Sequence, residues 1–264
     1  GKSVEIKNAA KQRLEAGELA IGVGLRQART VDTGKIFATC GFDWLFVDME
    51  HNSMGVDTAT QICVAAQDAG ITPIVRVPGH QHFHATRLLD GGAQGIVVPH
   101  VDTVEAAAQM VEQCKYPPLG HRSVTGSLPQ LGFQSTPLAD MTTSINDATL
   151  LVIMLETPEA IGNADAIAAL PGVDVLLVGC SDLGMEMGIP GQPDHPDIAA
   201  ALKAVCDACD KHGKHAGLGG VYSPPLMQRY IEFGMRFVLA GSDLSFMMQA
   251  AGARVEELRA LSTD

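Results

Sequence analysis

Eight times along this chain a short apolar run gives way to an amphipathic stretch, and few folds accept that rhythm. The strand-like runs fall at 20–24, 44–48, 72–76, 95–99, 150–155, 174–178, 215–218 and 236–240. Helix-like runs follow near 31–40, 56–69, 81–91, 102–114, 158–169, 196–212, 223–233 and 243–261, and an opening helix is expected over 3–16. Strict strand-then-helix order over eight units predicts a parallel (β/α)8 barrel, a TIM barrel, as one domain spanning 1–264. A doubly wound open sheet rarely carries eight units, and no GxGxxG follows the first strand.

Two segments depart from the rhythm. Residues 116–149 carry Pro117, Pro118, Gly120, Gly126, Pro129, Gly132 and Pro137 with little periodicity, which reads as a long functional loop or an interface. The last helix is apolar over more than one face, through Phe246, Met247, Met248, Ala250, Ala251 and Leu258. That pattern predicts burial against a neighbouring subunit, hence a homo-oligomer.

A net charge of -12 argues against nucleic acid or an anionic membrane surface as partner. No apolar run is long enough to span a bilayer. Six cysteines fall mostly inside expected helices and strands with no secretory signal before them, so reduced thiols and a cytoplasmic location are expected. Cys206 and Cys209 form a CxxC, but mid-helix, away from the strand-to-helix junction a redox motif uses.

Chemistry in such a barrel sits at the carboxyl ends of the strands, and there the polar residues collect. The second strand, Trp44-Leu45-Phe46-Val47-Asp48, runs into Glu50 and His51. The third delivers Arg76 out of an apolar run, where a guanidinium needs an anion nearby. The fourth ends at Pro99-His100. The fifth and sixth deliver Glu156 and Asp182, on consecutive and therefore neighbouring strands. Two carboxylates in contact cannot both stay ionised without a cation, which a hard divalent metal would supply. Alternatively each caps the helix that follows it. The eight lysines lie on helices, in loops or at the start of a strand, so no Schiff-base lysine is expected. His80, His82 and His84 form an HxHxH, but only His80 and His84 would share a helix side and no carboxylate accompanies them, a poor match to zinc.

Five segments in register resemble the HpcH/HpaI-type aldolases, the class II, metal-dependent pyruvate aldolases that cleave 4-hydroxy-2-oxo acids. They are Asp48-Met49-Glu50-His51, Val75-Arg76-Val77-Pro78, Leu88-Leu89-Asp90-Gly91-Gly92-Ala93, Leu155-Glu156-Thr157 and Gly179-Cys180-Ser181-Asp182-Leu183. The resemblance runs from about residue 18 to the C-terminus. It implies a barrel whose last helix is exchanged between subunits, usually in a hexamer. It implies Mg2+, Mn2+ or Co2+ on Glu156 and Asp182, chelated by the oxo acid. Arg76 would contact the keto or enolate oxygen, and backbone amides around Cys180 and Ser181 would hold the carboxylate. His51 would be the acid/base group, oriented by Asp90, with Asp48 and Glu50 organising the residues around them. The substrates would be a small oxo acid and an aldehyde. The chain departs from the family pattern at Asn52-Ser53-Met54, Met154, Cys180-Ser181 and Gly219-Gly220. These positions border the acceptor, so an oxaloacetate decarboxylase or a macrophomate-synthase-like enzyme is an alternative on the same site, and a non-catalytic metal-binding barrel a further one.

Overall fold

The computed structural model describes residues 4–264, and its eight strands close into one parallel barrel in sequence order. They are β1 (Ala20–Leu25), β2 (Trp44–Asp48), β3 (Thr72–Arg76), β4 (Gly95–Val98), β5 (Leu150–Leu155), β6 (Val175–Gly179), β7 (His215–Gly219) and β8 (Met235–Ser242). Around them run α1 (Ala9–Glu15), α2 (Thr33–Thr39), α3 (Val56–Asp68), α4 (His82–Asp90), α5 (Val104–Cys114) and α6 (Leu138–Ala148). The circuit continues with α7 (Pro158–Gly162), α8 (Ala164–Ala168), α9 (Cys180–Glu186), α10 (Pro196–His212), α11 (Pro224–Phe233) and α12 (Asp243–Arg259).

Side chains alternate across a strand, and here the alternation sorts the core into two shells. Trp44, Phe46, Ile74, Val152, Met154, Val175 and Leu177 fill the barrel, while Leu45, Val47, Val75, Ile153, Leu155, Leu176 and Val178 pack outward under the helices. Ala10 and Leu14 of α1 join the inner shell and close the amino-terminal end. Trp44 stacks on Phe237 with ring centroids 3.9 Å apart and donates its indole N–H to the Ala20 carbonyl at 2.9 Å. Gly22 makes that packing feasible, since a Cβ there would sit 2.1 Å from the Trp44 ring. Continued upward, the same period brings Asp48 and Arg76, which are register partners, to the next inward positions. The sequence of β5 and β6 puts Glu156 and Gly179 at that level on the opposite wall. The polar layer is thus the top layer of the barrel filling.

Several expected boundaries need correction. The interval 116–149 is not one long loop, because α6 occupies its last third and a single 3-10 turn spans Pro129–Leu131. Met141, Ile145 and Ala148 give α6 its buried stripe, but Thr142, Thr143, Ser144 and Asn146 mask it as weak helix formers. The expected helix 158–169 is two, broken at Asn163, whose side-chain amide donates to the Asp102 carbonyl at 2.7 Å. The short α9 falls outside the expected helical runs. The opening helix starts at Ala9, and its expected first residue, Ser3, lies outside the described residues. Cys206 and Cys209 lie within α10, and burial pushes their thiols up to about 11 and about 12, inert at neutral pH. On α12, Met247, Met248, Val255 and Leu258 are each more than half exposed.

Candidate active site and metal centre

At the second and third strand ends a carboxylate and a guanidinium meet fork to fork. Arg76 donates from Nε to Asp48 Oδ1 at 3.0 Å and from Nη2 to Oδ2 at 2.7 Å. Asp48 Oδ1 also accepts the backbone N–H of Glu50 at 2.9 Å and of His51 at 3.3 Å. Burial works to raise the Asp48 carboxyl, but the Arg76 hydrogen bonds and charge together with these amides outweigh it and hold it below its ordinary value. Phe46 lies 4.8 Å under the guanidinium carbon and completes the clamp. Arg76 therefore has one fixed orientation, with Nη1 left toward Glu50 Oε1 at 3.3 Å.

Glu50 links this clamp to two imidazoles. Its Oε1 lies 3.3 Å from His51 Nε2, and its Oε2 lies 3.0 Å from His100 Nε2. His100 faces Glu156 with its other ring nitrogen, 3.2 Å from Oε2, and donates its backbone N–H to the same oxygen at 2.7 Å. His100 reaches that position with φ of +54°, a left-handed backbone that L residues adopt sparingly. Held strain at this place marks His100 as part of the site, although the sequence flagged it only as a strand end.

Glu156 is 2% exposed, and burial, with Asp182 adding to it against the opposing His100 contacts, pushes its carboxyl up to about 7. Ligand atoms of His100, Glu156 and Asp182 all lie within 4.8 Å of one another, the group of this kind found among the described residues. The capping alternative fails on geometry. Thr157 Oγ1, not Glu156, caps α7 by accepting the Ala160 N–H at 3.1 Å, and α9 is capped by Gly179, with Asp182 its third residue. Two carboxylates and an imidazole converging without a cap to serve fit a hard divalent cation, which would remove the charge conflict between them. Gly179 makes room for this, since a Cβ there would stand 2.9 Å from Glu156 Cγ and Oε1.

Cys180 and Ser181 open α9 beside that group and line a cavity of about 320 Å³ together with Arg76, His51, Glu156 and Asp182. Burial pushes the Cys180 thiol up to about 12, so the position offers its amide rather than a nucleophile. Gly220, at φ +82°, keeps the space over Ser181 open, because a Cβ would come within 3.1 Å of the Ser181 nitrogen. A second cavity of about 750 Å³ continues outward and shares Phe46, His51, Arg76, Tyr222 and Leu239 with the first. Tyr222 and the outer cavity carry no sequence motif.

One expected arrangement differs. Asp90 does not meet His51 within the chain. It ends α4 in the helix layer and accepts from Arg122 Nη2 at 2.8 Å, while the charged neighbour of His51 is Glu50. Of the HxHxH, His80 turns its Nε2 to the Pro99 carbonyl at 2.6 Å.

A parallel barrel that gathers a carboxylate pair, imidazoles and a clamped arginine at the carboxyl ends of its strands is built as a metal-assisted barrel enzyme. Residues 27–250 match the family described as HpcH/HpaI aldolase/citrate lyase, and the chain belongs to that family. It is 39% identical over 258 residues to a 4-hydroxy-4-methyl-2-oxoglutarate aldolase of Hapsidospora irregularis, covering 95% of this chain and 96% of that one. It superimposes on the HpcH/HpaI aldolase from Desulfitobacterium hafniense with a TM-score of 0.90 at 30% identity, over 96% of this chain and 97% of that one. Macrophomate synthase superimposes with a TM-score of 0.81 at 25% identity, over 98% and 92% of the two chains.

Proposed function

We propose that the chain is a divalent-metal-dependent carbon–carbon lyase that reversibly cleaves a 4-hydroxy-2-oxo acid to pyruvate and an aldehyde. The observation that carries this reading is the buried Glu156 facing the exposed Asp182 beside a clamped Arg76. Glu156 and Asp182, with His100 adjacent, would hold Mg2+, Mn2+ or Co2+, which would supply Lewis acidity to the oxo acid. The Arg76 guanidinium lines the same cavity and stabilises the oxygen that becomes an enolate. Amides at Cys180 and Ser181 hold the substrate carboxylate. His51 takes the proton of the C4 hydroxyl as the C3–C4 bond breaks, with its electron pair passing to the C2 carbonyl, and a proton then returned to C3 gives the pyruvate methyl. Glu50 stands 3.3 Å from His51 Nε2 and orients it, and Asp48 fixes Arg76. Asp90 acts through Arg122 on the 116–137 segment rather than on the proton within this chain.

The exposed apolar residues of α12 support a homo-oligomer in which that helix packs on a neighbouring copy, a hexamer being the assembly the family resemblance implies. The free thiols support a reducing, cytoplasmic setting. No helix among the described residues is long and apolar enough to cross a membrane.

Pyruvate release coupled to lactate dehydrogenase tests the reading, across 4-hydroxy-2-oxo acids and oxaloacetate, after EDTA and after adding back Mg2+, Mn2+ or Co2+. Metal-dependent release from the hydroxy-oxo acids is expected, and release that survives metal removal refutes the Glu156–Asp182 site. The likeness to macrophomate synthase favours one second reading, in which oxaloacetate decarboxylation supplies the enolate; release from oxaloacetate alone, above the metal's own background, selects it.

A further inference from the structure

The two cavities divide the substrate at His51. The inner one contains the metal-ready group, and the outer one begins where the C4 hydroxyl must meet His51, so it receives the acceptor half. Its walls are largely apolar, through Phe46, Tyr222, Leu239 and Phe246, and two cations line it, Arg26 and Arg76. The Arg76 charge is already balanced within the chain: Asp48 takes two of its N–H groups and Glu50 faces a third nitrogen. Among the described residues no carboxylate pairs with the Arg26 guanidinium, so the outer cavity carries one cation without an anion.

The backbone that presents Arg26 is held unusually firmly for a loop. Asp243 accepts the N–H groups of Arg26 at 2.8 Å, Gln27 at 2.9 Å and Ala28 at 2.7 Å, and of its own neighbour Leu244 at 2.8 Å. Asn52 donates to the Leu25 carbonyl at 2.9 Å and accepts from Arg29, tying the same turn to the segment that carries His51. Four donors use up the Asp243 carboxylate, which leaves the Arg26 charge free while fixing the place from which it reaches.

We propose that Arg26 is the specificity residue of the acceptor half, binding a carboxylate carried by the aldehyde so that the enzyme prefers oxo-acid or semialdehyde acceptors over neutral aldehydes. This rests on the lyase reading above. A guanidinium–carboxylate pair in a partly apolar chamber contributes a charge-assisted hydrogen bond, and its loss costs about 10–100-fold in kcat/KM.

The test runs the synthetic direction with pyruvate and Mg2+ and compares matched acceptors, 4-oxobutanoate against butanal and glyoxylate against acetaldehyde. In at least one pair the wild-type enzyme prefers the carboxylate by about 10–100-fold in kcat/KM; R26Q abolishes the preference and R26K keeps part of it. Exchange of pyruvate methyl protons with D2O is followed in the wild type alongside. Exchange with no carboxylate preference, or a preference that R26Q retains, overturns the Arg26 assignment alone. No metal-dependent exchange overturns the lyase reading, and the assignment with it.

Discussion

The Glu156 carboxyl is buried against its charge, and the cost can be measured in the metal-free protein. Burial and the nearby Asp182 raise it from an ordinary 4.5 to about 7. Between those two pH values the folded chain keeps a proton that the unfolded chain has released. Stability therefore falls as pH rises through that window and stays low above it. A displacement of roughly 2.5 pH units at about 1.4 kcal/mol each puts the loss near 3 kcal/mol. Glu156→Gln cannot ionise, fits the same space and still accepts the His100 N–H. In EDTA at pH 8 the variant should thus be more stable than wild type by up to about 3 kcal/mol, or roughly 6 °C in Tm for a chain of this size. At pH 4.5 and below the two should converge. Mg2+ should raise the wild type at pH 8 and leave the variant behind. Calorimetric scans at equal protein concentration from pH 4.5 to 9 read all of this. A stability difference that is flat with pH, or a wild type that is the more stable at pH 8 without metal, refutes the claim that the carboxylate pair is uncompensated.

Three further expectations follow from neighbouring contacts. Gly179→Ala should push the Glu156 carboxylate aside, because the new Cβ starts 2.9 Å from it; metal affinity by titration calorimetry should fall about 10–100-fold with the barrel still folded, and unchanged affinity refutes the close-approach argument. Asp48→Asn should free Arg76, losing about 3 kcal/mol or more at pH 7 as a broken buried pair; because the Asp48 carboxyl is held below its ordinary value, this contribution exists above that value and is lost as pH falls through the folded one, so denaturant curves of variant and wild type should approach each other as pH falls below the ordinary carboxylate range. His51→Ala should lower kcat for hydroxy-oxo-acid cleavage by about 10²-fold or more while metal affinity stays, and a kcat within fivefold of wild type removes His51 from proton transfer.

The barrel was readable because one rule of alternation governs all eight strands. Each apolar run, buried on both faces, reads as a strand by its length and composition, and the polar residue at its end stands at the top of the barrel. Asp48, Arg76 and Glu156 stand out for that reason, and Asp182 through its place just past the sixth strand. Helices were less readable where packing rather than propensity makes them, as in α6, whose stripe of Met141, Ile145 and Ala148 is diluted by Thr and Ser.

What the sequence hides is of a different kind, namely who faces whom and where nothing stands. His100 looks like any histidine after a proline until its positive φ turns the ring between Glu50 and Glu156. Gly179 contributes by lacking a side chain, and only the Glu156 contour gives that lack a meaning. Asp90 sits in a recognisable motif, yet its partner is Arg122, 32 residues away and itself within a segment without period. The outer cavity is a void, which no residue spells. Arg26 acquires significance only when Asp243, 217 residues later, is seen to hold its backbone and leave its charge unspent. Groups that do chemistry can thus be nominated from strand ends, whereas the selection among substrates depends on pairings and empty space that only the closed barrel defines.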